Sequence, residues 1–156
     1  MNALELLTRC RDAESDMRRI EARIAQRRDA LERITACYAP REGGSGSVSS
    51  DKMADMIAAI DELERCLQKR KQAYAAECTA ACDLIGRLNE REAQVIDGAY
   101  MRREPISVIA RRCGYTEGYM RRVKSQAEQY LGQISDAEVQ GMMPEWYWEA
   151  VAQVRV

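Results

Sequence analysis

The stretch Pro105-Ile106-Ser107-Val108-Ile109-Ala110-Arg111-Arg112-Cys113-Gly114-Tyr115-Thr116-Glu117-Gly118-Tyr119-Met120-Arg121-Arg122-Val123 is the most informative in the chain. Pro105 suits the first turn of a helix, where its missing N–H is not needed. Gly114 suits the position just past a helix C-terminus, where left-handed backbone is required. Thr116 then caps a further helix over 117–131, with Met120, Val123, Ala127 and Leu131 on its apolar face. Upstream, Asn89 and Glu92 have the spacing of a capping box, and the helix they open packs through Val95, Ile96 and Tyr100. Two short helices joined by a Gly-containing turn of three or four residues make a helix-turn-helix pattern.

When such a pattern binds DNA, its second helix enters the major groove by its N-terminal residues. Its outward positions here are Glu117, Gly118, Tyr119, Arg121, Arg122, Lys124 and Ser125, with Thr116 at the cap. Arg111 and Arg112 on the preceding helix and Arg102 and Arg103 in the loop before it complete the candidate DNA-binding set. From Ala99 to Gln126 there are seven basic and two acidic residues, the local excess that phosphate neutralisation needs. Tyr119 and Arg122 are three apart and are expected to share the groove-facing side, with Gly118 allowing close approach. Arg122 is the candidate base contact, and Arg121 or Lys124 should lie nearer the phosphates. Glu117 would repel phosphates, yet a carboxylate in the groove can accept from cytosine N4.

Leu88 to Leu131 resembles the fourth conserved region of bacterial sigma factors, and phage-encoded regulators built on that region. The matching residues are Leu88, Arg91-Glu92, Val95-Ile96, Tyr100, Ile106, Ile109-Ala110, Cys113-Gly114-Tyr115-Thr116, Met120, Arg121, Val123, Ala127 and Leu131. The resemblance implies that Ile109-Ala110 lies in the first helix of the motif and that the Thr116 hydroxyl opens the recognition helix. It further implies double-stranded DNA and RNA polymerase as partners, the cytoplasm of a bacterial host as location, and activation of a phage or prophage operon. It covers about 44 of the 156 residues, and the promoter-melting and core-binding regions of a complete sigma factor have no counterpart. The opening Thr116-Glu117-Gly118-Tyr119 departs from the family's common Ser-Arg-Glu-Arg, so base preference does not carry over.

Outward from the motif, residues 2–37 contain neither Gly nor Pro and follow heptads. Ala3, Cys10, Met17, Ile24 and Leu31 form one register, and Leu6, Ala13, Ile20, Arg27 and Ile34 the other, with Arg27 the single charged intruder. The Gly/Ser-rich stretch 39–50 reads as a flexible linker. A second run, 51–85, places Met53, Ile57, Ile60, Leu63, Leu67, Tyr74, Cys78, Ala81 and Ile85 on one stripe. Two helices of matched length, each roughly 50 Å, suggest an antiparallel coiled-coil hairpin. The linker is longer than a hairpin needs, which leaves pairing between chains, a homodimer through the coiled coil, open. The expected fold is all-α: a hairpin over 1–86, a helix-turn-helix domain over 87–132 and an acidic aromatic tail over 133–156. Within the tail, Trp146-Tyr147-Trp148 is either a clamp on the core or an exposed anchor for a partner.

Composition narrows the function. The chain is 46% apolar and 31% charged with a net charge of −1, and it contains no His and no Phe. Histidine-based triads and metal sites are therefore excluded, and scarce strand formers argue against an all-β fold. No run is long and apolar enough to span a bilayer, and the first residues lack a signal-peptide pattern, so a cytoplasmic protein without a membrane partner is expected. The six cysteines, at 10, 37, 66, 78, 82 and 113, contain no CxxC, and no catalytic, metal or cofactor site is expected. The reading is a DNA-binding transcription regulator. Its alternatives are an adaptor that acts on the transcription machinery through the coiled coil, and a phage DNA-packaging recognition subunit. Chelator and reductant should leave the melting temperature unchanged; stoichiometric zinc in the purified protein would overturn the cysteine reading.

Overall fold

A computed structural model describes residues 1–37 and 50–153. The first heptad run forms a single helix, α1 (Ala3–Cys37). Asn2 starts it: its Oδ1 accepts from the Glu5 amide at 2.8 Å, and its own amide donates to the Glu5 carboxylate at 2.8 Å. This reciprocal pair satisfies two otherwise orphaned donors. The second run forms α2 (Ser50–Ile85). The proposed linker lies outside the described residues, apart from Ser50, which is the first residue of α2.

The cross-helix ion pairs Arg9–Glu77, Glu21–Lys71 and Arg28–Glu64 show that α1 and α2 run antiparallel, since rising numbers on one meet falling numbers on the other. On α1 the buried face is Ala3, Leu6, Cys10, Ala13, Ile20 and Ile24, and Arg27 is exposed. The α2 stripe departs from expectation in two ways. Ile57 is 47% exposed, whereas Arg70 and Glu77, seven and fourteen residues beyond Leu63, occupy the seam. Apolar pattern alone cannot find these positions, because the two charges enter the core by neutralising each other.

Glu77 has no exposed surface. Its Oε1 accepts from Arg9 Nε at 2.9 Å and from the Tyr147 hydroxyl at 2.7 Å, and its Oε2 accepts from Arg70 Nη1 at 2.9 Å. Arg70 Nη2 also donates to the Arg9 carbonyl at 3.3 Å. A buried carboxylate is tolerable only when paired and hydrogen-bonded in this way.

Five shorter helices follow: α3 (Glu90–Ile96), α4 (Ile106–Cys113), α5 (Glu117–Gly132), α6 (Asp136–Gly141) and α7 (Trp146–Gln153). No strand occurs among the described residues, so the fold is all-α as expected. The Asn89–Glu92 capping box opens α3, Gly114 ends α4 with φ 74°, and Thr116 caps α5, all as the sequence indicated. The short α6 is not among the expected elements, although Ser135 and Glu138 have cap spacing; the Ser135 hydroxyl accepts from the Glu138 amide at 3.3 Å. Between α3 and α4 the chain makes a π-helical turn, Asp97–Met101. Gly98 lies against α4 there, where a Cβ would come within 2.8 Å of the Ile109 side chain.

Leu6, Leu7, Leu84, Val95, Ile96, Ile109, Met120, Leu131, Val139 and Tyr147 belong to one continuous core. Residues from 1–86, 87–132 and 133–156 all contribute to it. Farther along the long pair, Ile20, Ile24, Ile60 and Leu63 form a separate small cluster. The tail's aromatics divide: Tyr147 is fully buried, whereas Trp146 and Trp148 remain 45% and 40% exposed. No helix among the described residues is long and apolar enough to cross a membrane.

Removal of Glu77 leaves Arg70 buried without its nearer carboxylate, with only Asp16 at 4.0 Å in its place. Glu77→Ala should therefore cost about 3–5 kcal/mol in denaturant unfolding of the full chain. Loss of the exposed Arg87–Glu138 pair through Glu138→Ala should cost at most about 1 kcal/mol. Equal effects would show that the buried carboxylate is not a keystone.

Candidate nucleic-acid interface

The buried face of α5 is Met120, Val123, Ala127 and Leu131, as the sequence indicated. Packing of this stripe turns Gly118, Arg121, Arg122 and Ser125 outward, and all four are exposed. A Cβ on Gly118 would meet nothing within 4 Å, so the first turn of α5 is open to approach. Thr116 spends its hydroxyl on the cap, accepting from the Tyr119 amide at 3.3 Å. Glu117 and Arg121 form an exposed ion pair at 3.3 Å, which partly neutralises the helix start. Arg122 Nε reaches the Gly118 carbonyl at 3.4 Å and is otherwise free of ion pairs among the described residues. Arg111 on α4 is likewise exposed and without a carboxylate partner among the described residues.

The other candidates sit elsewhere. Tyr119 is half-buried and does not share the open face with Arg122. Its hydroxyl accepts from Arg91 Nη1 at 3.0 Å, and its ring lies 4.9 Å from that of Tyr115. Arg91 in turn lies 5.6 Å above the Tyr115 ring. The i, i+4 spacing of the two tyrosines is the only sequence signal for this cluster; the Arg91 partnership required the fold. Lys124 pairs with Glu128 at 3.1 Å and stands 5.3 Å above the Tyr100 ring. Arg103 turns away altogether, with φ 57°, to pair with Glu14 of α1. Arg102 pairs with Asp97 at 2.7 Å and Arg112 with Glu104 at 2.9 Å. With Arg91 they line an open cleft of about 620 Å³ between α3 and α4, to which Glu90 and Asp97 also contribute.

The donors without a carboxylate partner are thus Arg111 and Arg122, supplemented by Ser125, with the exposed Arg121 held by Glu117 beside them. This arrangement can donate hydrogen bonds to an anionic or acceptor-rich surface. No group of three or more His, Cys, Asp or Glu among the described residues is placed to hold a metal ion. The Cys10 thiol, buried in the seam, is pushed up to about 12 chiefly by desolvation, which leaves it protonated and inert.

No family model, no characterised protein and no solved structure matches this chain.

Tyr100 joins α5 to the rest of the molecule. Its hydroxyl donates to Glu128 at 2.6 Å, and Arg11 of α1 lies 5.9 Å over its ring. Burial, reinforced by the Glu128 carboxylate, pushes this phenol up to about 12. Tyr147 is raised still further by burial and by Glu77. Both phenols favour folding while protonated, so their contribution is intact below the ordinary tyrosine value of about 10 and is lost as pH rises above it. Tyr100→Phe should make the decline in melting temperature between about pH 10 and 12 shallower. An unchanged decline would show that Tyr100 does not titrate in that window.

Proposed function

We propose that this chain is a DNA-binding transcription regulator in which α4, the turn Gly114–Thr116 and α5 act as a helix-turn-helix unit. The observation that carries the reading is the division of α5. One face is locked in the core by Met120, Val123, Ala127 and Leu131, and the opposite face presents Gly118, Arg121, Arg122 and Ser125 without obstruction. A recognition helix needs this combination of rigid support and exposed donors. The unpaired Arg111 supports a phosphate contact beside it.

Arg122 is the base-reading candidate, and Arg121, whose exposed pair with Glu117 must give way first, lies nearer the backbone. Tyr119, Lys124, Arg102, Arg103 and Arg112 act as scaffold, because each already has a partner within the protein. In this reading α1 and α2 form the coiled-coil hairpin arm, a phage or prophage operon is the target, and RNA polymerase is a second partner. An adaptor role is the second reading, favoured by the exposure of Trp146 and Trp148 beside the buried Tyr147.

A duplex selected from a random pool provides the test, titrated with salt against a scrambled duplex. Arg122→Ala should lose about 1–3 kcal/mol of discrimination. Arg111→Ala should bind both duplexes more weakly and lower the salt slope by about 0.9. If both variants behave like the unmodified protein, or no duplex is selected, the adaptor reading replaces this one.

A further inference from the structure

Beside the buried Glu77 node, residues of α1, α2 and α7 line a cleft of about 730 Å³. That volume lies in the range of small-molecule sites, roughly 300–1,000 Å³. The α1 residues that reach it run from Thr8 to Ile20 and, at 3.6 residues per turn, fall within an arc of about 120°. Its α7 wall is Trp148, Val151 and Ala152, and Ile20 and Ala73 add apolar surface from the long helices. Trp148 stands edge-on to the buried Tyr147, with ring centroids 5.0 Å apart and planes at 87°, so its exposed ring has a fixed setting. Trp146, about 160° around α7 from Trp148, does not line the cleft.

The polar lining carries one positive charge in excess. Arg9, Arg19 and Arg70 reach the cleft together with Asp12 and Asp16. Asp12 is held by Arg11, at 2.9 and 3.4 Å, and the underlying Glu77 by Arg9 and Arg70. Four arginines thus meet three carboxylates. Asp16 stands 3.9 Å from Arg19 and 4.0 Å from Arg70, too far for a hydrogen bond to either. Arg9 spends its Nε on Glu77, and neither of its Nη groups makes a hydrogen bond among the described residues. Its side chain is 37% exposed, so these donors can be reached without release of Glu77. A guanidinium with two spare donors suits a carboxylate, and a fixed indole with aliphatic neighbours suits a flat apolar ring.

We propose that this cleft binds a small aromatic monocarboxylate, its ring against Trp148, Val151 and Ala152 and its carboxylate on the Nη groups of Arg9. A single negative charge matches the excess of one, and the site does not depend on the reading of α5. The probe is 1-naphthoate, titrated calorimetrically into the full chain. One molecule should bind per chain, with a dissociation constant of about 1 mM or tighter. The neutral 1-naphthalenemethanol should bind at least about tenfold more weakly, because it cannot accept a charge-assisted bidentate pair. Trp148→Leu should weaken 1-naphthoate at least about fivefold, and Arg9→Lys, which keeps a cation on Glu77 but loses the fork, about tenfold. Trp146→Leu should change nothing. Ala152→Trp, at an exposed position away from the node, should fill the cleft and abolish binding; it decides the matter if melting curves show that Arg9→Lys does not fold. The proposal is overturned if 1-naphthoate does not bind, binds no better than the alcohol, or binds the Trp148→Leu and Ala152→Trp variants as it binds the unmodified protein. A chain ended after Gln153 should bind it within about threefold of the full chain. A gain of about tenfold or more would assign the cleft to residues 154–156 and likewise overturn the proposal.

Discussion

A single buried carboxylate, Glu77, links three parts of the molecule that sequence separates widely. Arg9 reaches it from α1, Arg70 from one level along α2, and the Tyr147 hydroxyl from α7. Remove the carboxylate and Arg70 keeps only the Arg9 carbonyl at 3.3 Å and, at 4.0 Å, Asp16. Remove Tyr147 and α7 loses its only polar tie to that seam among the described residues. The base of the long helical pair, the short helices and the tail thus share one core, and the polar node sets the register in which they meet.

Electrostatics elsewhere follows the same logic of compensation. The segment that looks most basic in sequence is largely neutralised in the fold: Arg102, Arg103 and Arg112 are paired with Asp97, Glu14 and Glu104, and Lys124 with Glu128. What remains there for an outside anion is narrower, namely Arg111 and Arg122 with the lightly paired Arg121. Charge density along a sequence therefore overstates the charge available to a partner. A side chain already holding a carboxylate must give that interaction up before it can hold a phosphate.

Local punctuation was legible from residues alone. The Asn89–Glu92 box, Gly114, the Thr116 cap and the inward face of α5 depend on neighbours within four positions, and each is found where expected. The all-helical class follows from the same local preferences. The π-helical turn at Asp97–Met101 was not legible. It exists because Gly98 lets the chain pass close to Ile109, a residue eleven positions later on another helix.

By itself, the sequence determined the two long helices, α3 to α5 with their caps, and the apolar stripes of α1 and α5, because these depend on periodicity and on hydrogen bonds that close within one or two turns. Only the tertiary structure decided that Arg70 and Glu77 are core residues, that Tyr119 faces Arg91, and that Arg103 belongs to α1 rather than to an open basic face. Each of these outcomes turns on a partner between 7 and 89 residues away. The physical reason is that a charge or a phenol has no intrinsic preference for inside or outside; its place depends on whether a complementary group arrives from elsewhere in the chain.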